Sequence, residues 1–363
     1  MERILYLASN EPGGNRVLAV ADDGERLRVA SSSPAGGTGA DTAGSDFDAD
    51  DYDGNVVVDP GRDLLFVTNG GSDSVAVFGI GQGGGLAPVA GSPFPTGGPH
   101  PVSVAVVGDG VVVVNKDRDP ARPSTPEGPG YAAFRLTTDR RLEPLGSVAV
   151  PRGASPTQVL PAGEKLAFGA HILSGVLQSF RIGGEGRMVL ADQAAVPGGP
   201  PGPIGLAVHP HQQLLYVGMP ASAQVGVFAF DDEGSMAFAV ASASSGRATC
   251  WVVVAPDGLA AYAANNADNS VSAFDLTDPE APVEIQHLRL RGGSAAYQIA
   301  LDPSGSTLYA LSTNAASGRA DDNVVHRLEV GVDRRMVERA RALVLPVDPR
   351  AHPGGIAVGP LVG

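Results

Sequence analysis

The sequence predicts an all-β protein, a seven-bladed β-propeller with four antiparallel strands per blade, and three observations predict it. A run of three short strands at 55–78 returns down the chain, at intervals of 46 and 47 residues between Pro210, Pro256 and Pro303. Aromatic residues return with it on the second and third strands. The two ends of the chain carry complementary parts of one further unit. Four-stranded units repeated around an axis make a propeller, and a period of about 40–50 residues is its mark in a sequence.

The founding unit is NVVVDPGRDLLFVTNGGSDSVAVF. Residues 56–58 form a β-branched run stopped by Asp59-Pro60-Gly61-Arg62, 64–68 a second run stopped by Asn69-Gly70-Gly71, and 74–78 a third. Short Val-rich runs bounded by Gly, Pro, Asn and Asp read as antiparallel strands. The turn after each first strand recurs at Gly108-Asp109, Leu160-Pro161, His209-Pro210, Ala255-Pro256, Asp302-Pro303 and Gly359-Pro360. An aromatic follows the turn proline by six positions at Phe66, Tyr216, Tyr262 and Tyr309, and by seven at Phe168. The third strands carry Phe78, Phe134, Phe180, Phe228 and Phe274, and less regular fourth strands follow, as at 142–150 and 284–290.

The last unit reaches only its first strand, at 355–358, while residues 3–9 and 17–20 match second and third strands. The terminal strands are therefore expected to share blade seven and close the ring, which removes open sheet edges. Residues 1–363 then form one domain. All-β architectures often run this long as a single unit, and Gly at 49 and Pro at 30 suit its many turns.

Charge and composition narrow the function. A net charge of −14 argues against nucleic acid or an anionic membrane as partner. One cysteine, Cys250, leaves no intrachain disulfide to form. Neither a signal-peptide pattern nor an apolar run of membrane-spanning length is evident. The expectation is a cytoplasmic monomer without a cofactor, acting on a small molecule.

Three segments depart from the repeat. Residues 34–53 join blade seven to blade one and are too long for a simple turn. Their acidic part includes Asp46, Asp48 and Asp50 at the spacing that starts an EF-hand loop. Asp51 stands where that loop needs glycine and Val57 where it needs glutamate, so a solvated acidic loop is preferred to a calcium site. Residues 79–84 match G-x-G-x-x-G by letter but open no helix, and read as a turn. Blade two carries the insertion KDRDPARPSTPEGPG at 116–130 between its second and third strands, and blade six a smaller one at 314–323.

Second-to-third loops lie on the same face as the starts of the innermost strands, so both insertions rise around one channel mouth. Innermost strands are expected to start near Tyr52-Asp53, His100, Thr157-Gln158, Pro203, Cys250-Trp251, Tyr297-Gln298 and His352. Second strands end near Asn10, Asn69, Asn115-Lys116, His171, Met219, Asn265-Asn266 and Thr313-Asn314. This polar, aromatic ring suits an uncharged or modestly anionic small molecule. The competing reading is structural: asparagines after strands cap turns and tolerate positive φ, and each His before Pro bonds to backbone. His209 and His211 fall in an opposite-face turn, and His100 and His352 sit two blades apart, so no metal site is expected. No G-x-S-x-G elbow occurs. Cys250 reads as a packed neighbour of Trp251 before it reads as a nucleophile.

The stretches LLFVTNGGSDSVAVF, LAPVAGSPFPTGG and ATCWVVVAPDGLAAYAANNADNSVSAF resemble the seven-bladed β-propeller lactonase family, which includes a bacterial type of 6-phosphogluconolactonase and fungal carboxy-muconate lactonising cyclases. The resemblance covers essentially the whole chain. It implies a site of histidine, arginine and glutamate around the channel, and His100 in GPHPVSV matches the histidine. Gly202-Pro203-Ile204 and Thr249-Cys250-Trp251 stand where the arginines are expected, and no channel glutamate is found. Two classes of function follow. As an enzyme, the chain is a lactonase or lactonising cyclase acting on a small organic acid or its lactone. His100 would be general acid/base, and Lys116 or Arg118 would hold a carboxylate or oxyanion. Gln158, His171, Trp251, Asn265, Tyr297, Gln298 and His352 would bind the substrate. The alternative is a non-catalytic propeller that binds a small molecule or a partner protein at the same mouth.

Overall fold

The computed structural model describes residues 2–41, 52–117 and 126–362. Seven sheets surround one axis, each with a path of four antiparallel strands. Blades one to six span residues 56–95, 101–149, 156–195, 206–243, 249–289 and 295–344. The seventh is composite: Gly354–Val362 lies innermost against Glu2–Ala8, followed by Arg16–Asp22 and Leu27–Pro34. Register runs Glu2↔Val362, Arg3↔Leu361, Leu5↔Val358, Tyr6↔Ala357 and Ala8↔Gly354.

Each blade packs on both faces against its neighbours, and burial follows from that. Second strands such as Leu64–Asn69, Leu214–Met219 and Ala260–Asn265 are buried at every position. They therefore read as continuous apolar runs, without the alternation of a half-solvated strand. Outer strands such as Met236–Ala243 are half-buried or exposed along most of their length. The repeated aromatics fill the spaces between blades. Phe228 is fully buried and meets Phe238 edge-on at 5.3 Å; Phe274 is equally buried, packed with Tyr216 and Val252. Truncating a buried Phe to Ala costs about 3–5 kcal/mol. Phe228→Ala and Phe274→Ala are each expected to lose that much in denaturant titration, and a loss below about 1 kcal/mol would contradict the inter-blade role.

Four local expectations are corrected. The turn expected at Leu160-Pro161 lies inside the strand Pro156–Ala162, and the chain reverses at 163–165 instead. Gly359-Pro360 is likewise no turn. Pairing with Glu2 and Arg3 carries the strand on to Val362, with a register shift between Arg3 and Leu5. Gly359 fits there because a Cβ would lie 2.6 Å from the Tyr6 ring. Asn10 takes positive φ (φ 50), but Asn69 and Asn265 do not; the left-handed residues there are Asp73 (φ 51) and Asn269 (φ 50), four positions on in the same turns. Finally, Tyr52-Asp53 does not begin blade one, whose innermost strand is only Val56–Asp59.

Candidate functional site

Residues 52–54 cross the central channel as a strap. The Tyr52 carbonyl accepts from Trp251 Nε1 of blade five at 2.9 Å and from Gln298 Nε2 of blade six at 2.8 Å. Asp53 N donates to the Thr157 carbonyl of blade three at 3.2 Å, and Val104 N of blade two donates to the Gly54 carbonyl at 2.8 Å. Four blades thus hold three residues. Two glutamines at matching inner-strand positions serve the same end. Gln158 Oε1 accepts from Leu206 N of blade four at 2.6 Å, and its Nε2 reaches Asp53 Oδ2 at 3.4 Å. Gln298 Oε1 accepts from Gly355 N of blade seven. Both amides therefore tie adjacent blades together as well as touching the strap.

The aromatic part of the mouth gathers around Tyr52. Tyr297 meets Trp251 at 4.3 Å and Tyr52 at 6.0 Å between ring centres, nearly perpendicular to the latter. Asn10 Nδ2 donates to the Tyr52 hydroxyl at 3.3 Å and to the His352 carbonyl at 3.2 Å. Trp251, Tyr297, Gln298 and His352, spread over more than a hundred residues of sequence, are thus brought to one place.

Asp53 is the ionisable group of the strap. Its Oδ1 accepts from Gly54 N at 2.7 Å. Burial pushes its carboxyl up to about 7, against the weaker opposing pull of that bond. Part of its surface stays accessible.

His100 and Lys116 form a second group, at blade two. His100 is buried in the left-handed region at φ 47, with its N–H on Asp73 Oδ1 at 2.9 Å. The same backbone turn precedes the inner strand at Ser155 (φ 54) and Ala248 (φ 54), so the conformation belongs to the scaffold and only the imidazole is particular to blade two. Gly70 lies against the ring; a Cβ there would come within 2.8 Å of Cδ2. Lys116 N donates to the His100 carbonyl at 3.0 Å, the bond that Ile172 and Asn266 make in blades three and five. A fully buried amine thus occupies a place that blade three gives to isoleucine. Asp117 Oδ2 accepts from Gly153 N at 3.1 Å, and Arg152 bonds the Pro126 carbonyl at 3.0 Å, fixing both described ends of the insertion. Arg118 and the acidic residues 46–51 lie outside the described residues.

Two predicted binding residues sit within the blade walls. His171 stacks on Tyr131 and meets its hydroxyl at 3.0 Å, and burial lowers its pKa to about 4, so it stays neutral at physiological pH. Asn265 is sealed at 0% exposure. Its Oδ1 accepts from Thr249 at 2.8 Å, and its Nδ2 donates to Ser270 at 3.0 Å and Ser272 at 2.9 Å. Cys250 is buried next to Trp251, as expected. His209 belongs to the opposite-face turn, its Nε2 on the Gly258 carbonyl at 2.9 Å. Among the described residues no cluster of His, Cys, Asp or Glu has the makings of a metal site.

Sequence reading missed a Ser–His–Glu chain in blade six. His326 Nδ1 meets Glu338 Oε1 at 2.7 Å, and Nε2 meets Ser312 Oγ at 3.1 Å. The spacing is that of a hydrolytic triad, yet none of the three is more than 4% exposed. The three side chains link three neighbouring strands of one blade, and the chain reads as a brace between them. Its one legible signal is His326 itself, two positions before the aromatic slot, where the other blades carry Ala76, Ala132, Gln178, Gly226 and Ser272.

No family model matches the sequence, and no curated protein does. Solved structures match over nearly the whole chain. A protein from Lactobacillus plantarum has 14% identity and TM-score 0.77, covering 99% of this chain and 100% of its own. A proposed 6-phosphogluconolactonase from Bacteroides uniformis has 15% and 0.75, with 99% and 100% covered. The periplasmic gluconolactonase of Pseudomonas aeruginosa has 15% and 0.75, with 99% of each chain covered. The chain has the fold of the seven-bladed lactonase propellers. At such identities the likeness speaks for the lactonase-type fold alone, and the chemistry rests on the residues at the mouth.

Proposed function

We propose that this protein hydrolyses or forms a lactone of a small organic acid at the mouth crossed by the strap. The observation that carries the reading is that a buried imidazole, His100, and a buried amine, Lys116, are joined by a backbone hydrogen bond where blade two enters the ring, in a fold that a gluconolactonase also has. His100 acts as general acid/base, and Lys116, with Arg118 beside it in sequence, holds the carboxylate or the developing oxyanion. Trp251, Tyr297 and His352 flank the substrate, with Gln158 and Gln298 fixing the floor.

The test is turnover of a panel of aldonolactones, their phosphate esters and muconolactone-type acids. His100→Asn is the variant of choice, because asparagine tolerates the left-handed backbone better than alanine does. It is expected to lower turnover by about 10²–10⁴ with an unchanged melting temperature. His100 and Lys116 are as sealed as Asn265 and His171, none of the four being more than 2% exposed, and this favours a second reading, a propeller that binds without turnover. Calorimetric binding of a panel member that is never converted would support that reading and sink the first.

A further inference from the structure

We propose that Asp53, carried on the strap across the channel, is a second proton-transfer group of this site and activates the water that opens the lactone. The inference rests on the lactonase reading above. Its own basis is geometric. The strap is held from four blades, so the carboxyl cannot drift, and a group fixed in place over a reaction centre loses no freedom on binding substrate. One oxygen is fixed by the Gly54 amide at 2.7 Å, while the other has only the long 3.4 Å contact from Gln158 and is left able to accept a proton.

Among the described residues, the groups bonded or packed around the strap include Asn10, Ser103, Val104, Thr157, Gln158, Trp251, Tyr297 and Gln298. None carries a charge, and Tyr52 is the one other titratable side chain on the strap. Among the described residues no cation is bonded to the Asp53 carboxyl; a half-buried carboxylate so placed costs folding free energy, and an asparagine would keep the Gly54 bond without that cost. A purely structural role therefore gives no reason for an aspartate here. Desolvation that holds the carboxyl near 7 is what a general base needs at neutral pH.

In the step proposed, a water oxygen bonds to the lactone carbonyl carbon as the carbonyl π pair moves to its oxygen. The water's proton passes to the Asp53 carboxylate. The tetrahedral intermediate collapses, the acyl–oxygen bond breaks, and the ring oxygen takes a proton from protonated His100. Asp53 then releases its proton to solvent and His100 regains one, so the net change is lactone plus water to hydroxy acid. Two titratable groups with separated roles at one site is a common solution to acid/base chemistry.

The experiment is the pH dependence of kcat/KM for the wild type, Asp53→Asn and Asp53→Glu on whichever lactone the wild type converts. The wild type is expected to show a rising limb centred near pH 7. Asp53→Asn should lower kcat by about 10²–10⁴ and lose that limb with little change in KM, and Asp53→Glu should recover part of the rate. Stability supplies a readout independent of turnover. The native state holds the Asp53 proton up to about pH 7, whereas an unfolded aspartate releases it near pH 4. Native stability should therefore decline as pH rises through that window, and Asp53→Asn should flatten the decline. Full activity in Asp53→Asn overturns this inference and leaves the lactonase reading standing. A wild type that converts no lactone overturns the lactonase reading and this role with it. A carbon-13 titration placing the Asp53 carboxyl near 4 overturns the inference whatever the substrate.

Discussion

A chain lacking residues 353–363 is expected to lose its cooperative thermal transition. Those residues supply the innermost strand of blade seven, Gly354–Val362, and among the described residues every other strand of the ring is already paired within its own blade. The strand is paired along Glu2–Ala8, its Gly355 is clasped by Gln298 from blade six, and the same glycine lies against Val56 of blade one. Removing it exposes the edge of Glu2–Ala8 and unlinks three blades at once. Backbone hydrogen bonds contribute about 1 kcal/mol each and buried aliphatic side chains about 1.5–3 kcal/mol. The summed loss is on the order of 5–10 kcal/mol, comparable with the whole net stability of about 5–15 kcal/mol. Differential scanning calorimetry of the truncated chain checks this, and a transition within a few degrees of the full-length chain would show that the ring does not depend on its clasp.

The second large effect concerns the sealed chain of blade six. His326→Ala leaves the Glu338 carboxyl buried without its imidazole, with the Arg291 amide still donating to its other oxygen at 3.0 Å. Removing one member of a buried, hydrogen-bonded pair costs about 3–5 kcal/mol, and denaturant titration should read that loss. Replacing both members, as His326→Leu with Glu338→Leu, should recover much of it, because the double variant leaves no buried carboxylate without its imidazole. Lactone turnover at permissive temperature is expected to be unaffected. Loss of turnover in a folded His326→Ala protein would mean that the chain is reached by substrate after all.

The two outcomes bear on how far the residues alone reach. Blade number, the shared terminal blade and the inter-blade aromatics were legible because each is a local, repeated signal. A β-branched run, a turn and an aromatic at fixed offset recur whenever the same packing problem is solved again. The errors in detail came where tertiary pairing overrode local turn chemistry. Pro161 and Pro360 look like turn residues, yet both lie in innermost strands, which pair with a neighbour on one side only and so tolerate a missing N–H.

The candidate site divides along the same line. That His100 and Lys116 stand together was readable, since one hairpin of two strands, Pro101–Val107 and Gly110–Asn115, joins their positions. The gathering of Trp251, Tyr297, Gln298 and His352 around Tyr52 was readable as a ring, though not as contacts. Nothing local distinguishes Tyr52-Asp53 from the start of an ordinary strand, and its route across the ring is set by donors on blades two, five and six and by the Thr157 carbonyl of blade three. His171 and Asn265 looked like mouth residues by position, and only packing shows them turned into the walls. The sequence by itself determined the ring, its closure and the face on which the polar residues collect, because these follow from periodicity. Which of those residues are sealed, and that the Asp53 carboxyl rides on a strap bonded to four blades, is decided only in the folded ring, because burial is a property of the assembled blades.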